Sequence, residues 1–65
     1  MDIITVQEIE WRAEQISLTA SEREFVRYLC EMREELWYIK NVALHNRDRF
    51  PIAAALVEDI YECLA

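Results

Sequence analysis

The side chains able to do chemistry in this 65-residue chain are few: one histidine, His45, two cysteines, Cys30 and Cys63, and thirteen carboxylates. Hydrolysis or group transfer needs a nucleophile, a base that activates it and a cleft that holds both. His45 falls in H-N-R-D-R-F (His45 to Phe50), among arginines and with no identified partner, so a helix-end or solvent-facing role suits it better than general-base work. Cys30 and Cys63 lie far apart, and with His45 they show none of the paired spacing of zinc ligands. They are read as reduced, buried small hydrophobes rather than as a disulfide. Gly is absent, which removes phosphate-cradling loops, and no HExxH, GxSxG or P-loop pattern occurs. The Glu-x-x-His pairs of carboxylate-bridged helical bundles are missing too. Glu31, Glu34 and Glu35 share a helical face, for which solvation is the ordinary explanation. The expectation is a chain that is not an enzyme, with no cofactor and no metal.

Composition narrows the class further. At 65 residues the chain is one domain, residues 1–65, near the lower limit for a core that folds unaided. Its apolar fraction of 54% argues against disorder. With no Gly and one Pro, at Pro51, it lacks the turn residues of hairpins and bulges, so the fold class is all-α. The net charge of −6 disfavours general nucleic-acid binding, which draws most of its affinity from phosphate neutralisation. The charge is uneven. Residues 1–35 carry nine acids against four arginines, whereas residues 36–49 carry Lys40, Arg47 and Arg49 against Asp48 alone. Lys40, His45, Arg47 and Arg49 therefore form a weak basic patch. No apolar run is long enough to span a bilayer, and MDIITV lacks a positive n-region, so a cytoplasmic protein without a membrane role is expected.

The elements that would position these residues are three helices: short, long and short, at about 6–17, 20–45 and 51–64. Thr5 opens a T-V-Q-E capping box for the first, whose buried stripe is Val6, Ile9, Ala13 and Ile16. Glu8 and Arg12 sit four apart in the favourable order, while Glu10 and Glu14 repel mildly. Overlapping boxes at Thr19–Glu22 and Ser21–Glu24 start the second helix. Phe25, Leu29, Met32, Leu36, Ile39 and Ala43 repeat at 4, 3, 4, 3, 4 along it, the seam of a helix that packs on helices. Unbroken, this spine would run to roughly 39 Å. A second apolar line, Val26, Cys30, Trp37 and Leu44, lies beside the seam. Asn46 is a candidate left-handed C-cap, and Pro51 fits the first turn of the third helix. That helix leaves mainly Glu58, Asp59, Glu62 and Tyr61 wet, so it should be deeply embedded.

Helices one and three together match the length of the spine, and one such chain would be thin and open. Antiparallel pairing of two spines closes it, so a homodimer with the seam Phe25, Leu29, Met32, Leu36, Ile39 and Ala43 as its interface is expected. Trp11, Tyr28, Trp37 and Tyr38 lie off the seam and are candidate partner contacts, aromatic residues being enriched at binding hot spots.

The segments E-I-E-W-R-A-E (Glu8 to Glu14) and F-V-R-Y-L-C-E-M-R-E-E-L-W (Phe25 to Trp37), with the acidic balance, resemble the small early-region proteins of lambda-type temperate phages, encoded between exonuclease and excisionase genes. The resemblance covers the whole chain through general character and brings no functional residues. It implies a non-catalytic regulator that contacts an unidentified host protein in the host cytoplasm, affecting the cell cycle or the lysis–lysogeny decision. Two other classes remain open. L-T-A-S-E-R-E resembles the opening of some helix-turn-helix regulators, and the basic loop Lys40/Arg47/Arg49 offers a nucleic-acid contact, although the last helix exposes mainly acids. An inhibitor or subunit of an enzyme is the other.

Overall fold

Asp2, not Thr5, starts the first helix. Its carboxylate accepts from the Thr5 backbone N–H at 2.8 Å, and α1 then runs Ile3–Gln15. A carboxylate is the stronger cap, so the helix begins three residues earlier than expected and Thr5 is buried within it. The structure, a computed structural model, describes residues 2–64, with the backbone alone at Leu64. Glu8 and Arg12 pair at 2.8 Å, as their spacing requires.

Thr19 caps α2 (Ala20–Glu31), its hydroxyl accepting from the Glu22 N–H at 3.2 Å. The long central helix expected over 20–45 is not continuous. It ends with Met32 donating to Tyr28 and Leu29 carbonyls, turns at Arg33 with φ 56°, and resumes as α3 (Leu36–His45). Among the described residues there are thus four helices rather than three, and no strand. No Gly or Pro causes the break. Its cause is tertiary. A straight helix over 20–45 would present its seam to α1 and to the last helix along roughly 39 Å, whereas the whole molecule measures 25 × 23 × 20 Å. Bending at 32–35 lets both halves lie on the last helix, and that burial outweighs an αL residue costing about 1–2 kcal/mol. Glu31, Glu34 and Glu35 ease the break, since in a continued helix they would crowd like charges at three- and four-residue spacing.

Asn46 does end α3, but not in the left-handed conformation. Its φ is −110°, and its side-chain amide donates to the Val42 carbonyl at 2.8 Å, satisfying an acceptor that the helix end leaves open. A turn through Arg49 leads to α4 (Pro51–Leu64), with Pro51 as its first residue as expected.

α4 is the hub. It packs on α1, α2 and α3, while α2 and α3 barely meet. Ala53, Ala54, Leu56, Val57 and Ile60 are buried along it, and the two alanines let neighbouring backbones come close. Around it lie Ile9, Leu18, Phe25, Val26, Leu29, Ile39 and Ala43. The radius of gyration is 10.3 Å, against about 10.7 Å for an ordinary single domain of this length. The expectation of a thin, open monomer is therefore overturned, and with it the geometric reason for closing the core by pairing two spines.

Two contacts tie α2 to the start of α4. Phe25 stacks on Phe50 with ring centroids 4.2 Å apart and planes 7° from parallel. Glu22 Oε2 accepts from the Ala53 N–H at 2.9 Å, in the interior. Pro51 has no N–H and Phe50 has no polar side chain, so the carboxylate that completes the first turn of α4 comes from another helix.

Candidate functional site

The seam residues meet inside one chain rather than at a surface. Phe25, Leu29, Ile39 and Ala43 are buried in its core, and Met32 and Leu36 pack partly buried against it. The seam is divided between α2 and α3, and both parts are already covered by the chain's own helices.

The four aromatic candidates are all exposed: Trp11 at 58%, Tyr28 at 55%, Trp37 at 54% and Tyr38 at 41%. They do not form one patch on one helix. Trp11 and Ile4, seven residues apart, share the outer face of α1, with Ile4 at 72% exposure. Trp37 and Tyr38 meet edge to face at 5.8 Å at the start of α3. Tyr28 leans toward Phe25, 6.2 Å between centroids, and so extends the Phe25–Phe50 stack to the surface.

The basic group is drawn into local contacts. Lys40 Nζ lies 4.2 Å over the Tyr61 ring, and the Arg49 guanidinium sits 5.5 Å over Phe50. His45 Nδ1–H donates to the Asn41 carbonyl at 2.8 Å, the helix-end role its position implies. Arg47 is exposed in the turn beside Asp48. Among the described residues no group of three or more His, Cys, Asp or Glu is placed to hold a metal ion, and both cysteines are free.

A groove between α1 and α2, which residue spacing alone does not reveal, is a further surface feature. It is open to solvent, about 960 Å³ in volume, with Val6, Ala13, Val26 and Cys30 in its lining and Ile3 at one end. Glu10 and Glu14 line it from α1, and Arg23 and Arg27 from α2. Two four-residue spacings of like charge, one acidic and one basic, were the available sequence signal. Glu10 and Glu14 read as mild repulsion only, until the hairpin sets them across from Arg23 and Arg27. Burial, with the charges of Glu10 and Glu31 adding to it, pushes the Cys30 thiol up to about 11. The thiol is therefore protonated at neutral pH, and thiolate chemistry in the groove is suppressed.

Comparison with protein-family models, with curated proteins and with solved structures gave no match. No helix among the described residues is long and apolar enough to cross a membrane.

Proposed function

We propose that the chain is a non-catalytic protein-interaction module that binds itself and a second, foreign protein. The observation that carries this is the exposure of Trp11, Tyr28, Trp37 and Tyr38 on a monomer whose core is already closed. Large aromatic side chains left in water give up burial free energy that a partner surface would recover, at about 25 cal/mol per Å² of apolar area. They are also the residue types that dominate binding hot spots. The groove between α1 and α2 adds an apolar floor with charged walls of both signs, a lining suited to an amphipathic segment. The likeness to phage early-region proteins supplies a setting. The foreign partner is then a host protein in the cytoplasm, and binding redirects the cell cycle or the lysis–lysogeny decision.

The test is an affinity capture from host lysate with the wild-type chain and with Trp11→Ala, Tyr28→Ala and Trp37→Ala, each checked for folding by circular dichroism. One stoichiometric partner, lost with at least one aromatic variant, supports the reading. A captured protein that every variant retains, or no captured protein, refutes it. DNA retention at low salt that falls steeply with added salt would instead favour the basic loop.

A further inference from the structure

The break between α2 and α3 is made of residues that prefer to be helical. Met32, Arg33, Glu34 and Glu35 include no Gly, no Pro and no β-branched residue. The apolar spacing Leu29, Met32, Leu36, Ile39 keeps its helical phase straight through the bend. Arg33 holds φ 56°, a conformation that glycine adopts freely and arginine does not. Backbone propensity and apolar phase at this point both favour a continuous helix; tertiary packing opposes it, helped by the like charges of Glu31, Glu34 and Glu35.

The bend also separates the chain into two halves joined through the last helix: α4 packs on both α1 and α2 as well as on α3, while α2 and α3 barely touch. The contacts that join the halves include the Phe25–Phe50 stack and the Glu22–Ala53 hydrogen bond. Neither depends on which chain supplies the second half. We propose that the chain pairs with a second copy of itself by domain exchange: the bend straightens into one helix over 20–45, and α3–α4 of each chain packs on α1–α2 of the other. This deepens the self-association in the function proposed above and rests on that part of it. The exchanged dimer keeps every core contact between the halves, releases the Arg33 conformation, and adds backbone i→i−4 bonds across the former bend. It opposes these gains with the translational entropy of association and with the crowding of Glu31, Glu34 and Glu35, so it forms in proportion to concentration.

The experiment measures self-association of the full chain, by light scattering on a size-exclusion column and by sedimentation, for wild type, Arg33→Gly and Arg33→Val. Glycine relieves the bend by about fivefold and weakens the straight helix by about fivefold. With two bends per dimer, Arg33→Gly should weaken dimerisation by roughly several hundredfold. Valine, which tolerates positive φ worst, should strengthen it. A second measurement identifies the exchange itself. In a dimer co-refolded from ¹³C-labelled and unlabelled chains, isotope-filtered nuclear Overhauser spectra should show Phe25–Phe50 ring contacts between chains. A dimer whose Phe25–Phe50 contacts stay within each chain, or one that Arg33→Gly leaves as tight, overturns the exchange and leaves self-association standing. Wild type and Arg33→Val both monomeric at millimolar concentration overturn the exchange and self-association together. Foreign-partner binding is then judged by the capture experiment alone.

Discussion

Glu22 is the residue whose removal should be felt most for its size. The residue is 5% exposed, and its carboxylate accepts from the Ala53 N–H at 2.9 Å, at a first turn opened by a proline. Glu22→Ala removes three things at once: a charge-assisted hydrogen bond, a favourable charge at a helix N-terminus, and the acceptor of a fully buried N–H. Leaving a buried donor unsatisfied costs about 1–3 kcal/mol, and the helix-dipole contribution is about 0.3–1 kcal/mol. A total near 2–3 kcal/mol is expected, against a whole stability of about 3–10 kcal/mol for a chain of this length. In a domain of this size that is a fall in Tm of about 10–20 °C. Glu22→Gln keeps an acceptor in the same place and loses the charge alone, so about 1 kcal/mol is expected. The assay is urea unfolding followed by circular dichroism, with a thermal melt as a check. If Glu22→Ala falls within about 0.5 kcal/mol of wild type, the carboxylate does not cap α4 and the reasoning fails. If Gln and Ala cost the same, the bond is not what matters.

Three further outcomes follow from named contacts. The hydrogen bond from the Thr5 backbone N–H, first among its causes, lowers the Asp2 carboxyl below its ordinary 3.8. A depressed carboxylate stabilises the fold fully above 3.8 and loses that contribution as pH falls through the lower folded value, so wild type should lose Tm relative to Asp2→Asn only below about pH 4. Cys30, raised from 9.0 to about 11 by burial, keeps its proton longer folded than unfolded. Its contribution is therefore whole below pH 9 and declines as pH rises from 9 toward 11, and at about pH 8 an aromatic disulfide reagent should modify exposed Cys63 quickly and Cys30 slowly. Equal rates would contradict the burial of Cys30. Asn46→Ala removes the side-chain bond to the Val42 carbonyl and should cost about 1 kcal/mol in urea unfolding; no change would mean that water caps α3 equally well.

Much of the local structure was readable in advance because it depends on neighbours in sequence. Thr19 as a cap, Pro51 opening the last helix and the Glu8–Arg12 pair all follow from residues within a turn of one another; the final helix is embedded along one face only, with Ile52, Ala55 and Cys63 exposed against the expectation of a deeply buried helix. The T-V-Q-E pattern points to Thr5 alone, whereas in the fold the Asp2 carboxylate takes the cap one turn earlier. The Glu22–Ala53 bond, the Phe25–Phe50 stack and the α1–α2 groove were out of reach, since each joins residues on different helices. Trp11, Tyr28, Trp37 and Tyr38 lay off the seam in sequence and are exposed in space, because an amphipathic helix buries one stripe and leaves the rest to solvent.

The sequence by itself determined that this chain is all-helical: it lacks glycine, repeats its apolar residues at helical spacing, and carries caps at legible places. It did not determine that 20–45 bends. Arg33 is a good helix former on local grounds, and nothing within a few residues of it forbids one more turn. Only the last helix decides the matter, by offering Phe25 and Leu29 on one side of the bend, and Ile39 and Ala43 on the other, a common surface to bury against. Burial is gained across the whole fold while propensity acts within a turn, so the tertiary structure overrides the sequence pattern at this one point.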